Sequence, residues 1–256
     1  MIFIFSYIWS ICCTVDYNGR QLFNKFIQKQ IEKADLGDKV KFPKDCFLYD
    51  FRYNIADDVV EPWTQASEGY FVDPKKSFSE IVVPTNDNIR MMYLMKLLTL
   101  NKHHVLCPGP TGTGKSINVM KYLSEELPNT FQYITISFSA QTNANQTQDT
   151  IADKLEKRRK GVFGLPSGKE GIIFVDDLNM PKKEQYGAQP PIEIVRQILD
   201  HKGWYNRKSL LFEKLEGLVF LSAMGPPGGG RTRITDRMSR HFNVISYTEV
   251  DDQIIN

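Results

Sequence analysis

The chain has 256 residues, 41% hydrophobic and 24% charged, enough for one large domain or two small ones with a real core. Its 32 Lys and Arg against 30 Asp and Glu leave a net charge of +2, so composition supplies no electrostatic case for a nucleic-acid or anionic-membrane partner. Its four cysteines, Cys12, Cys13, Cys46 and Cys107, form no CxxC pair and no His-x-x-x-His accompanies them, which argues against structural zinc and for a reducing compartment.

The opening MIFIFSYIWSICC is apolar, but it lacks a basic start and is too short to span a bilayer. It also carries bulky residues where a cleavage site needs small ones, so a buried helix or strand is expected. In NGRQLFNKFIQKQIEKADLGDKV, Leu22, Phe23, Phe26, Ile27 and Ile31 recur at helical spacing, with Gly37 as a stop. CFLYDFRYNI is aromatic and alternating, as a strand or hairpin would be, and Pro62, Gly69 and Pro74 then mark a linker-like passage. Residues 1–80 thus read as a smaller, mainly helical segment, distinct from 81–256.

From Ile81 strands and helices alternate, the pattern of an α/β layer fold with a mainly parallel sheet. Met91, Met92 and Met95 read as core. HHVLCPG is a first buried strand, KSINVMKYLSEEL a helix closed by Pro128, and FQYITISFS a second strand. ANQTQDTIADKLEKRRK reads as one exposed, charged helix with EKRRK as its solvated end and Gly161 as its stop. GIIFVDD is the third strand, PPIEIVRQILDH a helix with proline in its first turn, and LEGLVFLSAM the fourth strand. A last helix around TDRMSRHF leads into NVISYTEV, the fifth.

Between the first strand and its helix lies GPTGTGKS: Gly109, Pro110, Thr111, Gly112, Thr113, Gly114, Lys115 and Ser116. This is the full GxxxxGK[ST] pattern in the strand-to-helix context it requires. The glycines let backbone N–H groups face phosphate oxygens, Lys115 bridges the β- and γ-phosphates, and Ser116 coordinates Mg²⁺. The third strand gives independent support, because Asp176 and Asp177 end an apolar run, Ile172 to Val175, and a carboxylate there needs a cation or donors. Asp176 is the expected Mg²⁺ ligand and Asp177 the residue that orients an attacking water. At the tip of the fourth strand stand Met224 and Gly225, with no amide side chain for a γ-phosphate.

Several stretches together resemble one family. IVVPTNDNIRMMYLMKLL, GPTGTGKS, FVDDLNMPKKEQYGAQPPIEIVRQILDHKGWYNRK, AMGPPGGGR and ITDRMSRHFNVI resemble the third AAA+ module of axonemal dynein heavy chains, and FIFSYIWSICCTVDYNGRQLFNKF resembles the end of the second. The resemblance implies a P-loop AAA+ large subdomain over 81–256, with a parallel five-stranded sheet of order 5-1-4-3-2 sandwiched by helices. It implies that 1–80 is the end of the preceding module and that a small lid subdomain would follow Asn256. ATP or ADP with Mg²⁺ are the implied ligands. The implied partners are the neighbouring AAA+ modules of the same heavy chain, microtubules through other parts of the motor, and dynein intermediate and light chains, with no nucleic acid and no membrane. The implied place is the cytoskeleton of the cytoplasm, in the axoneme of a cilium or flagellum.

By the same resemblance, Val83 and Pro84 fall where a loop packs on adenine; the other reading is a plain apolar edge strand. Arg237 and Arg240 fall where AAA+ modules offer an arginine to the neighbour's γ-phosphate, Arg240 being favoured because it precedes the His-Phe of the fifth strand. The alternative for both is a basic helix end answering the helix dipole. Two departures bear on hydrolysis. The family's active sites carry Glu at the position of Asp177 and Asn near Gly225. Aspartate is shorter by roughly 1.5 Å, and a misplacement on the order of 1 Å can cost about a hundredfold in rate. Secure binding with slow or absent hydrolysis, at a regulatory site, is the expectation. An independent P-loop kinase or another AAA+ ATPase is the competing reading, and a degenerate scaffold a third. His103 and His104 read as strand-end residues, and His201 with Trp204 as the cover of a helix end.

Overall fold

The computed structural model describes residues 1–34, 42–43, 46–55, 57–67 and 85–249, which fall into two compact units, residues 1–94 with 248–256 and residues 95–247. Gly37, Val83 and Pro84 lie outside the described residues. Among those described, no helix is long and apolar enough to cross a membrane.

The first unit opens with α1, Ile2–Ile11, which buries Ile8 and Trp9. Helix α2, Tyr17–Lys33, starts where the Asp16 carboxylate accepts the Gly19 N–H at 2.7 Å. A one-turn 3₁₀ helix at Leu48–Asp50 leads into the antiparallel hairpin β1, Phe51–Asn54, and β2, Val59–Pro62, as the aromatic alternation predicts. The face of α2 differs from the expected one. Leu22 and Phe26 are exposed, while Arg20, Asn24 and Ile27 are buried. Polar recognition decides this: the Asn24 side chain accepts the Leu48 N–H at 2.8 Å and donates to the Cys46 carbonyl at 3.2 Å. Arg20 lies over the Tyr49 ring. Tyr49 and Trp63 are fully buried, Trp63 Nε1 donating to the Tyr49 carbonyl at 2.9 Å.

Helix α3, Asn86–Leu100, begins in the first unit and ends in the second. Met91, Met92 and Met95 are buried as expected. The second unit is built on a parallel sheet of β3 (Val105–Pro108), β4 (Phe131–Ser137), β7 (Glu170–Asp176), β10 (Leu218–Met224) and β11 (Asn243–Val244). Its order, β11-β3-β10-β7-β4, is the expected 5-1-4-3-2. The central strands β7 and β10 are buried along their middles, which is why they read as unbroken apolar runs. Ile173, Val175 and Phe220 share a core with Ile151 of α5 (Ala144–Ala152) and with Ile192, Val195 and Ile198 of α6 (Pro190–His201). The alternate residues Ile172, Phe174, Val219 and Leu221 are buried on the opposite face. Helix α4, Lys115–Lys121, passes into a π-helical turn, Tyr122–Glu126, which seats the Tyr122 hydroxyl 2.8 Å from Thr99 Oγ1.

One expected helix is shorter than its sequence reads. α5 stops at Ala152, and EKRR becomes β5, Glu156–Arg159, turning at Gly161 (φ +71°) into β6, Val162–Gly164. With β8, Gly203–Tyr205, and β9, Phe212–Leu215, these strands form a second sheet of order β5-β6-β9-β8. Glu, Lys and Arg favour helices in isolation, but here they ride an exposed edge strand whose charges discourage further pairing.

His104 is a structural residue. Its Nδ1 accepts the Phe220 N–H at 3.0 Å and its carbonyl accepts the Asn243 N–H at 2.8 Å, aligning β10 and β11 on β3. Burial, then the nearby His241, His103 and Lys202, push its pKa down to about 4. Trp204 is buried beside the end of α6 and donates to Glu213, whereas His201 is exposed.

Candidate phosphate-binding site

The loop Gly109–Ser116 leaves the tip of β3 and enters α4. Gly109 lies under the chain of Tyr247, where an added Cβ would come within 2.7 Å of the Tyr247 carbonyl oxygen, and Tyr247 N–H in turn binds the Pro108 carbonyl at 2.8 Å. Gly112 and Gly114 take left-handed conformations, φ +87° and +74°, and nothing lies within 4 Å of the Cβ positions they lack. Thr113 Oγ1 closes the loop onto the Pro110 carbonyl at 3.0 Å. Lys115 Nζ reaches back over it, donating to the carbonyls of Gly109 (2.9 Å) and Pro110 and lying 3.3 Å from Thr113 Oγ1. Its pKa is lowered by partial burial and then by Arg231, against the opposing pull of Asp176 and Asp177.

Sequence-distant groups meet on these residues. Ser116 Oγ donates to Asp176 Oδ1 at 2.9 Å, and the same oxygen accepts the Asp177 N–H at 3.0 Å. Asp177 has φ +52°, a strained value for a non-glycine residue. Thr111, Gly112, Gly114, Lys115, Ser116, Asp176 and Asp177 line one cavity of about 260 Å³, together with Ile117, Met224, Gly225 and Arg231. A larger hollow of about 510 Å³ lies along the first half of the edge strand β4, but its lining gathers no comparable cations with a hydroxyl–carboxylate pair.

These residues suit a magnesium nucleotide. An open glycine loop, an ammonium, and a hydroxyl beside a carboxylate are the donor types that phosphate oxygens and a hard cation require. Lys115 and the loop would hold the phosphates, and Ser116 with Asp176 the metal.

Arg231 was not foreseen. After β10 the chain runs through Pro226 and Pro227 into three left-handed glycines, Gly228, Gly229 and Gly230. Mutual 2.9 Å bonds between Gly228 and Arg231 then turn it back toward the cavity. There Arg231 Nη2 lies 3.3 Å from Asp177 Oδ1, and its stem covers Gly225, where a Cβ would meet it at 2.8 Å. Buried Asn179 fixes this loop by donating to the Gly225 carbonyl at 2.9 Å. Gln189, at the start of α6, adds a bond to Thr232 Oγ1 at 2.8 Å.

Arg237 and Arg240 are not part of the cavity lining. Arg237 is exposed on the short helix α7, Asp236–Ser239, while Arg240 Nη2 pairs with Asp200 Oδ1 at 2.7 Å at the far end of α6. Asp200 also meets Arg196 and His241, and its pKa is lowered, first by the Arg240 bond.

A family profile described as the P-loop containing dynein motor region matches residues 70–250, and one described as the dynein heavy chain AAA lid domain matches residues 1–65. Dynein axonemal heavy chain 1 of Mus musculus is 45% identical over 98% of this chain and 6% of its own length. Dynein axonemal heavy chain 3 of Homo sapiens is 40% identical over 99% of this chain and 6% of its own, and dynein axonemal heavy chain 12 of Homo sapiens 41% over 98% and 8%. The chain thus spans 6% to 8% of the length of these relatives. By fold, phosphate loop and both profiles, it belongs to the dynein heavy chain family.

Proposed function

We propose that the chain is an ATP-binding regulatory AAA+ module, the third, of an axonemal dynein motor, with slow or absent hydrolysis. Residues 81–256 would be its large nucleotide-binding subdomain and 1–80 the end of the preceding module. The observation that carries this reading is the convergence of Lys115, Ser116 and Asp176 on one cavity at the strand tips. Bound magnesium nucleotide supplies the phosphoanhydride and a metal that neutralises its oxygens. The chain's own part is to cradle phosphates at Gly112–Gly114, to turn Lys115 from loop carbonyls to phosphate oxygens, and to hold the metal at Ser116 and Asp176.

Three features support slow turnover. Asp177 is one carbon shorter than glutamate, and its backbone is left-handed. The strand tip ends in Met224 and Gly225, without an amide side chain of its own. In the motor such a site would gate the mechanochemical cycle through neighbouring modules of the same heavy chain. Microtubules would be met by other parts of that chain, intermediate and light chains would be its partners, and the ciliary or flagellar axoneme its place. Arg237 and Arg240 are the candidates offered to a neighbouring site.

Titration with ATP and ADP, with and without Mg²⁺, tests the binding. Affinity should fall on chelation, and absence of binding at millimolar nucleotide would end this reading. Single-turnover hydrolysis tests the role of Asp177: Asp177→Glu should be faster and Asp177→Asn slower, and an unchanged asparagine variant would remove Asp177 from the water-orienting role.

A further inference from the structure

Two cations face one small cavity. Lys115 belongs to the phosphate loop, but Arg231 arrives from the loop after β10, on a turn that only consecutive left-handed glycines permit. Like charges converge at a cost. The two carboxylates opposite are already committed. Asp176 takes the Ser116 hydroxyl and the Asp177 N–H, and Asp177 holds Arg231 by one oxygen at 3.3 Å. Arg231 Nε is buried without a partner. A guanidinium offers paired N–H groups that match a phosphate or carboxylate, so one long contact to a single carboxylate oxygen leaves it under-used.

Its position sets it beside the residues that would hold the metal. Ser116 and Asp176 mark the metal, and Arg231 rests on Asp177, the next residue after Asp176, so its guanidinium lines the same cavity as the metal pair and Lys115. The partly exposed Arg231–Asp177 pair is of a kind that holds weakly, ready for exchange.

We propose that Arg231 is the residue by which this site tells ATP from ADP: the Asp177 carboxylate holds the guanidinium until a terminal phosphate takes it over. The phosphate is thus sensed in cis, by an arginine of the glycine turn rather than by an amide at the strand tip. This rests on the nucleotide reading above and deepens it.

The test is equilibrium binding of Mg-ADP and of Mg-adenylyl imidodiphosphate, whose terminal linkage resists hydrolysis, to the parent chain, Arg231→Ala, Arg231→Lys, Asp177→Asn and the Arg231→Ala/Asp177→Asn double variant. Arg231→Ala should weaken the triphosphate analogue about tenfold or more and ADP less than about twofold, since charge-assisted bonds to one phosphate are lost. Arg231→Lys, keeping charge without the fork, should recover only part of the preference. Asp177→Asn should tighten the triphosphate severalfold by freeing Arg231, and that gain should vanish in the double variant. Equal losses for both nucleotides, or an Asp177→Asn gain that persists without Arg231, would overturn the proposal. If Arg231→Ala does not fold, the Asp177→Asn and Arg231→Lys arms decide alone: an unchanged triphosphate preference in both overturns it. A parent chain that binds neither nucleotide overturns this and the nucleotide reading together, whereas bound ADP with no triphosphate preference overturns this one only.

Discussion

Lys115→Met removes the ammonium and keeps an unbranched stem, so it separates the phosphate role of Lys115 from its part in the fold. Without ligand, Nζ serves only acceptors of its own loop, the half-buried carbonyls of Gly109 and Pro110 and the Thr113 hydroxyl, all of which water can reach. Burial and Arg231 already disfavour the charge. The ligand-free variant should therefore unfold within about 1 kcal/mol of the parent. With nucleotide the ammonium would make charge-assisted bonds worth about 1.5–3 kcal/mol each, and one such bond corresponds to roughly 10- to 100-fold in affinity. Thermal unfolding against ATP concentration is the assay. At 100 times the parent Kd, binding stabilises by about 2.7 kcal/mol, and a hundredfold weaker variant gains only about 0.4 kcal/mol. At about 2–4 °C per kcal/mol for a chain of this size, a parent shift of roughly 5–11 °C should collapse to about 1–2 °C. A variant whose nucleotide-induced shift equals the parent's would refute the assignment of Lys115 to phosphate.

Gly109→Ala and Gly112→Ala should fail differently. At Gly109 the methyl meets the Tyr247 carbonyl at 2.7 Å and must push the segment after β11 away from the end of β3, so about 2–4 kcal/mol should be lost in urea unfolding. At Gly112 the space is open and only the +87° backbone resists, so about 1–2 kcal/mol is expected, with nucleotide affinity reduced as the loop shifts. Asn179→Ala should cost about 1–3 kcal/mol by leaving the Gly225 carbonyl unpaired, measured the same way. His104 sets a pH window. The unfolded imidazole binds its proton near pH 6.5 and the folded one only near 4, so stability should fall as pH drops from 6.5 to 4 and be flat above. The change is on the order of 2 kcal/mol after discounting for partial exposure. His104→Asn, which keeps an acceptor for the Phe220 N–H, should flatten that slope; urea midpoints at pH 5 and 7.5 decide.

What the sequence conveyed followed from how each element is stabilised. β7 and β10 are buried on both faces, so their apolar runs announced a parallel sheet, and the GxxxxGK[ST] loop announced its own strand and helix. The second sheet was hidden because β5 is polar all round and acquires its form from pairing with β6. The buried face of α2 was misread because Arg20 and Asn24 are held by an aromatic ring and by backbone groups of a distant segment, which apolar periodicity does not register. Of the site residues read from the sequence, Thr111, Gly112, Gly114, Lys115, Ser116, Asp176 and Asp177 line one cavity. Arg231 is not legible in the sequence, because its place depends on how a run of glycines folds back and not on which residues adjoin it.

The segment from Thr232 to Arg240 behaves as a strap along α6, buckled near each end. α6 is a stiff rod of 12 residues, about 18 Å long. The inner buckle, Gln189 to Thr232, is part-buried next to Arg231, while the outer, Asp200 to Arg240, carries a guanidinium side chain that is 60% exposed. Dissolved salt screens the outer ion pair and leaves the neutral inner bond unscreened. Rising ionic strength should slacken the α7 end while the cavity end stays fastened, so any tug on Arg231 enters the strap from its fixed end and runs out at its free one.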